Sequence, residues 1–120
     1  MFKLVDFLKD NFEKNSYSVD FFDVIEDFVG DYGVLEFQKN SKHYALNFFE
    51  NATKSTTEVV KWGKIHPELE AAFLVVKETL SSNEIVLDMY GSFEDYIGLI
   101  LRFRFGPVFY DLILAFADPK

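Results

Sequence analysis

The chain has 120 residues, no cysteine and a formal net charge of −8. That length fits one domain, residues 1–120, able to bury its own core, and 15 Phe, 6 Tyr and one Trp predict that the core is rich in rings. The absent cysteine excludes disulfides, zinc–thiolate centres and thiol catalysis, and the acid excess disfavours direct contact with nucleic-acid phosphates or anionic membranes.

In chain order, "MFKLVDFLKDNFEK" places Leu4, Val5, Leu8 and Phe12 at helical spacing, so residues 2–14 are expected to form an amphipathic helix. Its charges at Lys3, Asp6, Lys9 and Asp10 interrupt the apolar region a signal peptide needs, and no apolar run approaches membrane-spanning length. A soluble cytoplasmic protein without membrane contact is therefore expected. "NSYS" breaks the pattern, and Ser18 is read as the N-cap of a second helix over "SVDFFDVIEDFVGDYG". At 100° per residue Phe21, Phe22, Val24, Ile25, Phe28, Val29 and Tyr32 gather on one side of that helix and its acids on the other.

"GVLEFQKNSKHYALNFF" reads as a β-hairpin turning at Asn40-Ser41, with Phe37 opposite Tyr44, Leu35 opposite Leu46 and Gln38 opposite His43. "STTE" has the form of a capping box for a short helix reaching Trp62. In "HPELEAAFLVVKETL" Pro67 suits the first helical position, and Leu69, Ala72, Phe73, Val76 and Leu80 form one stripe. "EIVLDMY" is a candidate strand and "SFED" a short helix or turn. "LILRFRF-GP-VFYDLILAF" reads as a second hairpin with Arg102 facing Asp111. The apolar run 112–117 suits a central strand. No internal repeat is evident. The order predicts an α+β fold: an antiparallel sheet of two hairpins plus a further strand, with three to four helices packed against it.

Chemical signatures are sparse. Of the two histidines, His43 falls on the polar face of the first hairpin and His66 precedes a proline, and neither has the spacing of a metal motif. No calcium-binding or phosphate-binding loop is present, and clustered exposed carboxylates offer nothing that desolvates one of them for acid–base work. No catalytic residue, metal ligand or cofactor is assigned, and the protein is not expected to be an enzyme.

The distribution of charge is more informative. Between Lys14 and Lys39 there is no base, but there are six acids: Asp20, Asp23, Glu26, Asp27, Asp31 and Glu36. Removing them from the total of 20 leaves 14 acids against 12 bases, so most of the net charge lies in this short stretch. A helix face of one sign forgoes every stabilising i,i+4 pair, and Asp31 near its C-terminus opposes the helix dipole. Such a face is expected to steer an oppositely charged partner, with Tyr17 and Tyr32 at its margins as aromatic anchors.

A small, acidic, cysteine-free chain carrying the segment "SVDFFDVIEDFVGDYG" resembles the bacterial immunity proteins of contact-dependent growth inhibition and related toxin systems. The resemblance implies a one-to-one complex with a cognate protein toxin, made in the cytoplasm of the cell the toxin would otherwise kill. It supplies no motif whose functional residues carry over. Two other readings stand beside it: a nucleic-acid mimic that blocks a DNA- or RNA-binding machine, and a small ligand-binding protein or enzyme with an incidental acidic helix.

Overall fold

The computed structural model describes residues 2–26, 30–51, 60–61, 66–83, 85–93 and 96–117, with the backbone alone for 51, 60–61, 85–93 and 96–98. Its elements are α1 (Phe2–Lys14), β1 (Ser18–Ile25), β2 (Tyr32–Lys39), β3 (Lys42–Asn51), β4 (Val60–Lys61), α2 (Pro67–Thr79), β5 (Ile85–Phe93), β6 (Tyr96–Phe105) and β7 (Val108–Phe116). The strands form one sheet in the order β1-β2-β3-β7-β6-β5-β4, antiparallel except for the β4–β5 pair. The fold is α+β, but two helices rather than three or four lie among the described residues.

The expected second helix is absent, because Ser18–Ile25 is an edge strand paired with β2. Its apolar residues at 19, 21, 22, 24 and 25 satisfy helical spacing and also a strand interrupted by a bulge at Asp20, between Val19 and Phe21. The break before it is a helix stop of specific geometry. Ser16, at φ 68°, sits in the left-handed region, its N–H bonds to Glu13 O at 3.1 Å, and Tyr17 N–H bonds to Phe12 O at 3.0 Å. This Schellman closure brings the Phe12 and Tyr17 rings edge to face at 5.4 Å. The helix expected from Ser55 to Trp62 falls mostly outside the described residues, and Val60–Lys61 within it is strand.

Both expected hairpins form in the expected register, Phe37 opposite Tyr44 and Arg102 opposite Asp111. Asn40 and Ser41 both take positive φ, 52° and 65°, as a two-residue I′ turn requires, and Gly106 at φ 64° supplies the same freedom in the second hairpin. Two further hairpins, β1–β2 and β5–β6, were not foreseen. α2 begins as expected: Pro67 opens it, and His66 Nδ1 accepts the Glu68 N–H at 3.4 Å.

Both helices pack on one face of the sheet. Leu4, Val5, Leu8 and Phe12 of α1 and Leu69, Ala72, Phe73 and Val76 of α2 meet Leu35, Phe37, Tyr44, Leu46, Phe48, Leu101, Phe103, Leu112 and Leu114, all buried. Phe12 stacks on Phe37 at 4.0 Å, and Phe37 on Tyr44 at 5.1 Å. At roughly 1.5–3 kcal/mol per fully buried large side chain, this face supplies the main driving force for folding.

The chain is built twice. Each half runs α-β-β-β, and the strand registers of the second half repeat those of the first 66 positions later. Leu35↔Leu46 becomes Leu101↔Leu112, and Phe22↔Leu35 becomes Asp88↔Leu101. Even the β1 bulge between Val19 and Phe21 recurs in β5 between Ile85 and Leu87. The pairing of Asn47 with Ile113, also 66 apart, puts a pseudo-twofold axis through the β3–β7 junction. The expectation of no internal repeat is thus corrected at the level of the fold. In the hairpins the identity survives at buried Leu35/Leu101, Phe37/Phe103, Tyr44/Tyr110 and Leu46/Leu112, too few positions to stand out in the sequence.

Candidate functional site

The opposite face of the sheet has no helix against it among the described residues. Strand alternation places Phe21, Asp23 and Ile25 of β1, Tyr32, Val34, Glu36 and Gln38 of β2, and His43, Asn47 and Phe49 of β3 on this open face. One register row crosses it as Ile25, Tyr32, Phe49, Asp111 and Arg102. The first three are large and exposed, at 41%, 40% and 43%, and Phe21, on the same face two pairing rows along β1, is exposed at 47%. An apolar cluster of this kind, bordered by charge, has the make-up of an interaction surface rather than of scattered surface residues.

The acids do not lie on a helix, so the arguments from i,i+4 pairs and the helix dipole no longer apply. Asp20 occupies the β1 bulge, where its Oδ1 accepts from Gln38 Nε2 at 3.1 Å. Asp23 lies between Phe21 and Ile25, and its Oδ1 accepts the N–H of the next residue, Val24, at 2.9 Å. Glu26 follows β1 and is exposed, while Asp27 lies outside the described residues. Asp20 and Glu36 come together in a shallow cleft with Gln38, His43, Tyr44 and Ala117. Asp31 stands apart at the other end of β2, held to β3: its N–H donates to Glu50 Oε2 at 3.0 Å and its carbonyl accepts the Glu50 N–H at 3.0 Å.

Of the two proposed aromatic anchors, Tyr32 is on the open face and Tyr17 is not. Tyr17 is 7% exposed, packed among Phe12, Phe37 and Tyr44 on the helix side, and its role is corrected from anchor to core. Burial pushes its phenol pKa up, and does so for Tyr44, where Tyr17 and then Glu68 add to the effect, and for Tyr110, where Glu50 and Asp31 add to it.

Lys39 and Lys9 are engaged by other groups. Lys39 Nζ donates to Asn15 O at 3.1 Å and lies over the Tyr17 ring at 4.7 Å, on the helix side. Lys9 sits over the Phe22 ring at 5.7 Å and pairs with Glu13 at 3.3 Å. Among the described residues no ion pair reaches Asp20, Asp23 or Glu26.

The halves differ most on this face. Where the second half has Arg102 and Arg104, the first has Glu36 and Gln38 at the corresponding positions, and Arg102 is paired with Asp111 across β6 and β7. Sequence reasoning missed the apolar partners of the acids, Phe21, Ile25 and Phe49, because a helical reading sends the first two to the core. Among the described residues no three His, Asp or Glu side chains are close enough to hold a metal ion, and no helix is long and apolar enough to cross a membrane. Compared with protein-family models, curated proteins and solved structures, the chain matches none.

Proposed function

We propose that the protein is an inhibitor that binds and neutralises a cognate protein toxin, of the basic, nuclease type, in the manner of the immunity proteins its sequence resembles. The observation that carries this reading is the apolar row Ile25–Tyr32–Phe49, exposed beside a strand edge whose acids Asp20, Asp23 and Glu26 join no ion pair among the described residues. Acids around such a patch raise the rate of encounter with a positive surface and select against acidic partners. The exposed rings then supply most of the binding energy once water is excluded. Asp20, Asp23, Glu26 and Asp27 steer, Asp31 and Glu36 extend the patch, and Tyr32 anchors it. The complex blocks the toxin in the cytoplasm, and the inhibitor itself performs no reaction.

Affinity capture from lysate of the source cell, with candidate toxin genes expressed, tests this reading. Wild type is run beside the Asp23→Asn, Glu26→Gln, Asp27→Asn variant at low and high salt. One basic toxin fragment held by wild type, released by salt and lost by the variant is the expected result. A general DNA- or RNA-binding machine in its place would select the nucleic-acid-mimic reading. Capture of nothing, or binding indifferent to salt and to the variant, would overturn the proposal.

A further inference from the structure

The two halves are matched in register yet differ at their outer edges. In the second half the outer edge of β5 is covered, because Val60 and Lys61 of β4 pair in parallel with Met89 and Tyr90. Counting back 66 positions, the corresponding place in the first half is the outer edge of β1 at Asp23 and Val24. Among the described residues no strand occupies it.

The backbone there faces outward. Glu50 N–H bonds to Asp31 O, which fixes the alternation along β2: the backbone groups of Gly33 and Leu35 turn to β3, and those of Tyr32, Val34 and Glu36 turn to β1. Their partners Ile25, Asp23 and Phe21 therefore bond inward, while Phe22 and Val24 present N–H and C=O to the edge. The Val24 N–H is met by the side chain of its own neighbour, Asp23, at 2.9 Å. An edge carboxylate in this position shields a backbone donor that a strand would otherwise take. The bulge at Asp20 does not close the edge, since β5 carries its bulge at the equivalent point and still accepts β4.

We propose that this edge receives an extended segment of the partner, added in parallel to β1 as β4 is added to β5, with cationic and apolar side chains alternating. The inference rests on the functional reading above for the existence of a basic partner, and adds how that partner is held. Charge selects the occupant. On the open face the incoming strand meets Asp23 and Asp20, and there its cations belong; on the helix side it meets Phe22 and Val24, which suit apolar side chains. As a cation takes the Asp23 carboxylate, the Val24 N–H is released to the incoming carbonyl. A second copy of this chain fits poorly, because β1 against β1 brings acids to face acids.

The test is a titration of 15N-labelled protein with a blocked peptide of alternating Val and Lys, a Val–Glu peptide serving as control. The Val–Lys peptide is expected to shift amide signals along residues 18–25 and to slow exchange of the Val24 amide about tenfold at a concentration about ten times its Kd. High salt and the Val–Glu peptide are expected to abolish the response. Val24→Pro removes the outward N–H with no change of charge, a substitution edge strands tolerate, and is expected to lose the response. Absence of any response of β1 in wild type, or shifts confined to Phe49 and its neighbours, would overturn strand addition. Slowed exchange along β1 that depends on protein concentration without peptide would assign the edge to a second copy and overturn the choice of occupant. A basic toxin lost by the acidic triple variant but held undiminished by a folded Val24→Pro would refute strand addition while leaving the inhibitor reading intact.

Discussion

Arg102 grips Asp111 across β6 and β7 with two bonds, Nε to Oδ1 at 2.6 Å and Nη2 to Oδ2 at 3.1 Å, whereas the corresponding pair in the first half is Glu36 opposite Ala45. The Arg102 pKa is raised first by that hydrogen bond and then by the Asp111 charge, against an opposing effect of burial. The forked pair, with both side chains less than a quarter exposed, is one of the stronger polar contacts a sheet face can hold. Asp111→Ala is expected to lower the unfolding free energy by about 1–3 kcal/mol, read from urea denaturation. Glu36→Ala, at the position equivalent to Arg102, is expected to change stability by less than about 1 kcal/mol and to weaken partner binding.

The two tyrosines bordering the acidic segment separate core from surface. Tyr17 closes the ring cluster with Phe12, Phe37 and Tyr44, so Tyr17→Ala is expected to cost about 3 kcal/mol, visible as a large fall in Tm. Tyr32→Ala is expected to move stability by less than about 1 kcal/mol while lowering affinity for the partner at least tenfold. Equal binding loss in both variants, each checked to be folded, would contradict the placement of Tyr17.

The first hairpin turn carries removable strain. Ser41 holds φ at 65°, where a Cβ is disfavoured by roughly 1 kcal/mol, and the I′ turn favours glycine there. Ser41→Gly is expected to stabilise the protein by somewhat less than that amount, since glycine also gains freedom in the unfolded chain. A rise in Tm with unchanged binding is the expected reading.

Alkali attacks the core through its phenols. Tyr17, Tyr44 and Tyr110 all have raised pKa values in the fold, chiefly from burial. Below about pH 10 the phenols are protonated in both the folded and the unfolded chain, and their contribution to stability is fully present. Above it the unfolded chain loses protons first, so stability falls with rising pH through the folded pKa values. Near-ultraviolet phenolate absorbance is expected to show these tyrosines ionising late, together with unfolding. Tyr44→Phe is expected to move the onset of unfolding to higher pH.

The parts of this fold legible in the sequence were those where pattern and punctuation agree. The β2–β3 and β6–β7 hairpins combine alternation with a two-residue turn, and α2 combines Pro67 with a clear apolar stripe. β1 was not legible, because its bulge at Asp20 breaks the period of two and an edge strand exposes both faces; the same residues then fit a period of 3.6. The acids were found and their setting was not. Segregation of Asp23 from Phe21 and Ile25 exists only on a helix, whereas the strand puts all three on one face. The duplication stayed hidden because only core positions of the hairpins retain it, while Arg102 and Glu36, at equivalent places, carry opposite charge.

The measurement closest to the central claim is the association rate of the captured toxin domain with wild type and with the Asp23→Asn, Glu26→Gln, Asp27→Asn variant across a range of salt. Charge steering predicts a wild-type rate that falls about tenfold or more between about 0.05 and 0.5 M salt, and a variant that is slow at low salt with a much flatter dependence. Equal rates and equal salt slopes for the two proteins would contradict the account.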